Sequence, residues 1–164
     1  MKSYDYTRRQ GAQALPWDDF VHLCGELAEE LAHFETEVIV GIARAGLLPA
    51  ALVACIARPV WRVPLTAEVT SRVVAVVDEI ADTGETQALV SERARALGAS
   101  RVITATLVSH SWAQPAPDVC ALVSDKLIMF PWDQRVLAAG KWQLHPEIAG
   151  ALEIQGKASP DLEL

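Results

Sequence analysis

Residues 73–86 read VVAVVDEIADTGET, and they predict a strand, an acidic pair, a turn and the start of a helix. The first five residues are apolar and mostly β-branched, which is typical of a strand covered on both faces, as in a parallel sheet. Asp78 and Glu79 then lie at the predicted carboxyl end of that strand, the edge where ligands bind in open α/β sheets. The following turn offers backbone N–H groups at a helix N-terminus, which favour an anion. Together these features predict a site for a metal-bound phosphate.

The composition is that of an ordinary globular protein. Of the 164 residues, 51% are hydrophobic and 21% are charged, which suffices for one domain with a sizeable core. The net charge of -7 argues against a surface for nucleic acid, because such a surface needs a basic face. The apolar runs are too short to span a bilayer, and the N-terminus lacks an apolar signal core. We therefore expect a cytoplasmic protein that binds neither nucleic acid nor membranes.

Strands and helices alternate on both sides of the acidic pair. Apolar residues at a spacing of three or four predict an amphipathic helix from Pro16 to Phe34. Further strands are predicted at residues 38–42, 60–65, 101–107, 121–124 and 127–130, and further helices at residues 47–57 and 86–97. This alternation predicts an α/β fold, with an open, mainly parallel twisted sheet and helices on both faces. We expect a single domain over residues 1–164, with a core at about 15–133 and a C-terminal tail at 134–164.

Asp78 and Glu79 are suited to hold a divalent cation. Mg²⁺ is typically held by one or two protein carboxylates together with substrate phosphates and water. Asp82 lies four residues after Asp78 and would enter the same pocket where the strand breaks. The three acids could instead cap a helix and face solvent, but capping requires only one of them.

The pattern of a hydrophobic strand, two acids, two apolar residues and DTGxT resembles the phosphoribosyl-diphosphate (PRPP) signature of type I phosphoribosyltransferases. The resemblance implies that Asp78 and Glu79 contact the ribose hydroxyls and bound Mg²⁺. It also implies that the 5′-phosphate is held by the turn formed by Ala81, Asp82, Thr83, Gly84, Glu85 and Thr86. Asp82 would then lie near the base and assist proton transfer as the catalytic residue.

A second segment agrees with this resemblance. Residues 38–47 look like the pyrophosphate loop of the family, a strand-to-helix turn whose backbone amides face the diphosphate. This likeness would bring Ala43, Arg44 and Ala45 into the PRPP site, with Arg44 as the side-chain partner of the diphosphate. The alternative for Arg44 is an ordinary surface arginine in a loop.

A third segment, residues 117–133, resembles the base-binding end of purine phosphoribosyltransferases of the xanthine-guanine type. The resemblance implies a small base-binding hood that includes Leu127, Ile128 and Trp132, although Leu127 stands where a base-stacking aromatic residue is expected. Related enzymes place a lysine near His110 to read the exocyclic oxygen of the purine. An ordinary loop histidine is the alternative for His110, and a core aromatic residue is the alternative for Trp132.

The segment before the acidic strand is short. Related transferases carry a long mobile hood there, and this chain has only residues 66–72. Because water can intercept the oxocarbenium-like state of ribosyl transfer, a missing lid favours hydrolysis or slow transfer.

Two functions follow from the resemblance. The first is a pentosyltransferase of purine salvage, which transfers the 5-phosphoribosyl group from PRPP to a nitrogenous, purine-like base with Mg²⁺ and releases pyrophosphate. The second is a PRPP- or nucleotide-binding regulatory protein of the same fold with little or no turnover. The triplet at Asp82 also occurs in aspartic proteases, but those enzymes need two such aspartates sharing a proton, in an all-β frame. Trp142 and Leu144 are candidate residues of a homodimer interface, and a tail packed within the chain is the alternative.

Overall fold

The computed structural model describes residues 8–57, 69–138 and 140–154. The elements within these ranges are β1 (Ala12–Ala14), α1 (Trp17–Ala32), β2 (Val38–Gly41), α2 (Leu47–Ile56), β3 (Val73–Ala81), α3 (Glu85–Ala96), β4 (Arg101–Ser109), β5 (Val119–Val123), β6 (Leu127–Met129), β7 (Arg135–Ala138), β8 (Lys141–Leu144) and α4 (Pro146–Ile154). One compact unit is Val21–Ser124, and the other combines the chain up to Phe20 with the chain from Asp125. The single domain predicted over residues 1–164 stays a prediction.

The larger unit is built on a parallel sheet with the strand order β2-β3-β4-β5. Residues 74–77 of β3 are completely buried, which explains their unbroken apolar run. Helix α2 packs against β2 and β3, and α3 packs against β3 and β4. The α/β fold with a parallel central sheet, predicted from the alternation of strands and helices, is confirmed.

Strand β3 continues four residues beyond Val77, where we expected it to end. It does so because β4 runs alongside it, with Ser109 opposite Ala81, and β5 in turn pairs with β4, with Val123 opposite Ser109. On its other side, β2 ends at Gly41, opposite Val77. No described strand pairs with residues 78–81 on that side, so the carboxyl edge of the sheet has a step between β2 and β3. Asp78 and Glu79 therefore lie within β3, at the foot of this step, and not beyond the strand.

The residues just before β3 form a turn at its amino end. The Thr70 hydroxyl donates to the carbonyl oxygen of Leu97 at 3.0 Å, and the Ser71 N–H donates to that of Gly98 at 2.7 Å. Gly98 has a φ of 90°, as expected for the left-handed cap of a helix. The turn is thus attached to the C-terminal end of α3.

This arrangement bears on residues 66–72, which we compared with the mobile hood of related transferases. Residues 69–72 lie at the amino end of β3, whereas the predicted site lies at its carboxyl end. They therefore do not cover the acidic pair. Residues 66–68 and the strand predicted at residues 60–65 lie outside the described residues.

The smaller unit contains the parallel pair β1 and β6, the antiparallel hairpin of β7 and β8, and α4. Met129, Ile148 and Leu152 form its core, and Leu144 packs against them, as in the alternative of an internally packed tail. Trp142 is 68% exposed, opposite Leu137 at 61%. Within the described ranges, every helix is too short or too polar to cross a membrane.

Candidate active site

Asp78 is a buried acid and the sixth of the nine residues of β3. Its side chain lies on the same face of the strand as Val74 and Val76, and its Oδ1 accepts the N–H of Glu79 at 3.1 Å. Burial raises the pKa of Asp78 to about 9, and the adjoining Glu79 carboxyl acts in the same direction. A buried carboxyl group with no cation in contact is unfavourable for the fold and marks a candidate ligand site.

Glu79 leaves the opposite face of β3, because adjacent side chains alternate along a strand. Its Oε2 is enclosed and has no hydrogen-bond partner among the described residues. An enclosed carboxylate oxygen without a donor is suited to a cation. Since no described strand pairs with β3 at this level on the β2 side, both carboxyl groups can reach a ligand that lies along that edge.

Asp78 and Glu79 can supply part of the coordination shell of Mg²⁺, but not all of it. In the described parts of the chain, no three His, Cys, Asp or Glu side chains are grouped closely enough to hold a metal ion by themselves. Two carboxylates that complete the shell with substrate oxygens and water match the usual coordination of Mg²⁺. The site thus suits a cation that arrives with a phosphorylated substrate.

The turn between β2 and α2 packs directly on Asp78. A Cβ atom at Gly46 would lie 2.7 Å from Asp78 Oδ1 and 2.6 Å from the carbonyl oxygen of Ile42. Only glycine therefore allows the turn to approach the acid this closely. Sequence reasoning gave Gly46 no role, although a glycine in a strand-to-helix turn was the available signal.

The rest of this turn carries the predicted pyrophosphate loop. The peptide bond between Ala43 and Arg44 is cis, both residues are exposed, and Ala45 is half-buried. The Ile42 N–H donates to the carbonyl oxygen of Val77 at 2.9 Å, which fixes the loop one residue before Asp78. Arg44 follows Ile42 by two positions, so its exposed side chain is available to an anion at this edge of the sheet.

The turn between β3 and α3 has the geometry of an anion site. Gly84 precedes the helix with a φ of 84°, and the Thr83 hydroxyl accepts the Glu85 N–H at 3.4 Å. Thr83, Glu85 and Thr86 are exposed, and Asp82 is half-buried. The first amides of an α-helix have no carbonyl partner in their own helix, which is why helix N-termini favour anions.

A loop after β4 supports this turn from behind. The Gln114 N–H donates to the Thr83 carbonyl oxygen at 2.8 Å. A Cβ atom at Gly84 would collide with the carbonyl oxygen of Pro115. The glycine of the DTGxT pattern is therefore required by its positive φ and by the backbone packed against it.

His110 lies beside Asp82, with its side chain completely buried. Its Nδ1 is 2.6 Å from the carbonyl oxygen of Ser124, and its Nε2 is 3.7 Å from Asp82 Oδ1. The ring stacks on Trp112 at 4.4 Å between centroids. Sequence reasoning did not single out Trp112 or Ser124, because neither contact is local in the chain.

The other residues predicted to bind the base belong to the smaller unit. Leu127 and Ile128 are buried in β6. Trp132 stacks on Phe130 at 4.9 Å and meets Phe20 edge-on at 5.0 Å, so it is part of an aromatic cluster. Its indole Nε1 is enclosed without a hydrogen-bond partner among the described residues.

The larger unit thus brings the predicted PRPP residues and His110 to one edge of its sheet: Ala43, Arg44, Ala45, Asp78, Glu79 and residues 81–86. The roles predicted for these residues, and the base-binding role of Leu127, Ile128 and Trp132, stay predictions.

Comparison with known proteins finds similar solved structures. No protein-family model and no curated protein sequence matches the chain. The purine phosphoribosyltransferase of Pyrococcus horikoshii is 28% identical with a TM-score of 0.68, over 74% of this chain and 93% of that one. The xanthine-guanine-hypoxanthine phosphoribosyltransferase of Helicobacter pylori is 18% identical with a TM-score of 0.64, over 74% and 92%.

A hypothetical protein from Neisseria gonorrhoeae, solved with bound ppGpp, resembles this chain as much as the Helicobacter pylori enzyme does. It is 19% identical with a TM-score of 0.64, over 76% of this chain and 90% of that one. The last two likenesses concern the fold alone, and the first also includes sequence. The resemblance predicted from residues 73–86 is confirmed: the chain has the type I phosphoribosyltransferase fold, and its solved neighbours include enzymes of the purine branch.

Proposed function

We propose that the chain is a phosphoribosyltransferase, which transfers the 5-phosphoribosyl group from PRPP to a purine-like base and releases pyrophosphate. One observation carries this proposal. The buried Asp78 and the half-buried Glu79 on β3, and the exposed residues at the N-terminus of α3, lie on one continuous segment at the carboxyl edge of the sheet. A cation site next to an anion site matches a sugar that carries phosphate groups at both ends.

We assign the PRPP-binding roles as the sequence resemblance implies, and this arrangement supports them. Asp78 and Glu79 would hold Mg²⁺ together with the ribose hydroxyls, and the cation when bound neutralises charge on the diphosphate. The backbone of residues 43–45 and the Arg44 guanidinium would bind the diphosphate. The exposed amides and hydroxyls of residues 82–86 would bind the 5′-phosphate.

The reaction breaks the bond from C1′ of the ribose to the pyrophosphate oxygen and forms a bond from C1′ to a base nitrogen. That nitrogen loses a proton, and the half-buried Asp82 carboxylate is the group proposed to accept it. Orientation of the two substrates and compensation of charge would supply most of the rate.

The finer assignments rest on the same likeness. We place the protein in purine salvage in the cytoplasm, with Leu127, Ile128 and Trp132 at the base and no nucleic acid or membrane as partner. The exposed Trp142 of the β7–β8 hairpin is the surface proposed for a homodimer.

A second candidate function is supported by the Neisseria protein with bound ppGpp. A chain of this fold that binds PRPP or a nucleotide without turnover would act as a regulatory protein. It would use the same acid pair and the same phosphate turn, and it would differ only in lacking a product.

A titration followed by a product assay separates these functions. The melting temperature is measured with PRPP, with and without Mg²⁺, for the wild type and Asp78→Asn. Glu37→Gln, which removes an acid at the other end of β3, is the matched control. We expect a Mg²⁺-dependent rise in melting temperature for the wild type and Glu37→Gln, and none for Asp78→Asn.

Pyrophosphate release is then measured with hypoxanthine, guanine, xanthine and adenine. Release that requires a base supports the transferase. A thermal shift without release from any base supports the regulatory protein, and the absence of any shift in the wild type contradicts both functions.

A further inference from the structure

We propose that His110 is a positioning residue for Asp82, and that it does not read the base. This inference rests on the proposed function, because it gives His110 a task in the proton transfer assigned to Asp82. It differs from the role predicted from the sequence, where His110 takes the place of a base-reading lysine.

The hydrogen atom on the imidazole can be placed from the structure. A carbonyl oxygen only accepts hydrogen bonds, and that of Ser124 lies 2.6 Å from His110 Nδ1. Nδ1 must therefore carry the hydrogen. The neutral ring then has its lone pair on Nε2, the atom that lies 3.7 Å from Asp82 Oδ1.

Burial argues against a direct contact between His110 and the base. The side chain of His110 is 0% exposed, and its ring is stacked on Trp112 with 18° between the planes. Its backbone N–H donates to the carbonyl oxygen of Ala81 at 3.1 Å, which fixes the residue to the end of β3 just before Asp82. Contacts within the protein therefore fix both the ring and the backbone of His110, and the ring has no exposed surface to offer to a base.

The pair formed by His110 and Asp82 can hold one proton in either of two places. When the base nitrogen forms its bond to C1′, its N–H bond breaks and the proton passes to Asp82. Once Asp82 Oδ1 and His110 Nε2 close from 3.7 Å to hydrogen-bond distance, the Asp82 O–H bond can break and the proton moves to Nε2, which forms an imidazolium ion paired with the regenerated carboxylate. Each step forms one bond to hydrogen and breaks one, and no further reactant is needed.

The first test is the tautomer of His110, read from its ring ¹⁵N chemical shifts by NMR. We expect the ring to be protonated at Nδ1, and we expect its Nε2 signal to shift in Asp82→Asn. His22 is an internal reference, because it is exposed on α1 and pairs only with Glu26 at 3.5 Å among its described contacts. A neutral His110 protonated at Nε2 alone would overturn the proposal, and so would signals that do not respond to Asp82→Asn.

The second test separates positioning from base reading. In His110→Gln and His110→Asn we expect kcat to fall about 10- to 100-fold, with KM for the base changed less than about threefold. The PRPP-induced thermal shift should persist in both, and His22→Gln should behave as wild type. A raised KM for the base with an unchanged kcat would overturn the proposal. The NMR test requires no turnover, so it decides the His110 pair even if the wild type proves not to be a transferase.

Discussion

The two ends of β3 surround a carboxyl group in opposite ways. At the amino end, Glu37 is exposed and accepts the Val73 N–H at 2.9 Å and the Arg72 guanidinium at 2.7 Å. These contacts, with the Val73 bond the stronger influence, lower the pKa of Glu37. At the carboxyl end, Asp78 is buried, receives one backbone N–H and contacts no described cation, and burial raises its pKa to about 9.

We interpret this as the difference between an acid that stabilises the fold and the acid proposed to bind a ligand. The protein itself supplies the partners of Glu37, so that ion pair helps to hold the turn before β3 in place. Asp78 lacks such partners, so its ionised form is unfavourable until a ligand supplies positive charge.

The largest effect is expected from Gly84→Ala at the carboxyl end. The new Cβ would collide with the Pro115 carbonyl oxygen, and alanine disfavours the φ of 84°. We expect a loss of about 3 kcal/mol or more in the free energy of unfolding, measured in urea. Gly98→Ala at the other end of α3 is the control, because Gly98 has a φ of 90° and its nearest neighbour would be Thr70 Cγ2 at 3.3 Å. An equal loss in both variants would show that backbone strain alone requires these glycines.

Gly46→Ala should have the next largest effect. Its Cβ would crowd Asp78 Oδ1 and the Ile42 carbonyl oxygen, so we expect a loss of about 2 kcal/mol and a weaker PRPP-induced thermal shift. Gly25→Ala in α1 meets no atom within 4 Å, and it should raise stability by up to about 1 kcal/mol. If Gly46→Ala keeps the wild-type stability and PRPP response, the contact between the turn and Asp78 is unimportant.

Asp78→Asn should raise the stability of the protein at alkaline pH, whereas Gly84→Ala and Gly46→Ala lower it. The folded protein holds the Asp78 proton more tightly than the unfolded chain, so wild-type stability falls as pH rises from 3.8 towards about 9. Asparagine removes this fall, and we expect the variant to be more stable than wild type by roughly 1–2 kcal/mol at pH 8, and similar at pH 4. Unfolding in urea at both pH values measures this. Parallel pH curves for the two proteins would contradict the burial of an uncompensated acid.

Glu37→Gln should have the smallest effect and the opposite dependence on pH. Because the pKa of Glu37 is lowered in the folded protein, its contribution is present above 4.5 and lost as the pH falls. The pair is exposed and screened by solvent, so we expect a small decrease in melting temperature at pH 7 that disappears near pH 3. A decrease larger than that of Gly46→Ala would reverse the contrast between the two ends.

Local patterns in the sequence predicted much of the fold around the site. The apolar run before Asp78 predicted β3, and the glycine at position 98 predicted the end of α3, because both depend on neighbouring residues. The length of β3 depends on the register with Ser109 and Val123, which lie far away in sequence. The β7–β8 hairpin and α4 were missed because short elements in a mixed tail have weak periodicity.

Within the site, sequence reasoning identified residue types better than orientations. The acid pair was expected beyond a broken strand, and the structure has both acids within a continuous one. The direction of His110 is determined by Ser124 and Trp112, and neither pattern nor propensity reveals such contacts. The sequence shows a glycine at position 46, but it does not show that this glycine packs against Asp78.

The step at the carboxyl edge of the sheet also sets the distance between the two turns that carry Arg44 and Gly84. Its height is the four residues by which β3 continues past β2, or about 13 Å at the usual rise of a strand. The turn with Arg44 begins at the lower level, and the turn with Gly84 begins at the upper one. A ligand with a negative group at each end can touch both levels only if its charges are separated by a comparable distance. If this edge binds the ligand proposed above, we expect the step to favour a molecule of that length over a simple phosphate or a bare diphosphate, which would occupy one level only.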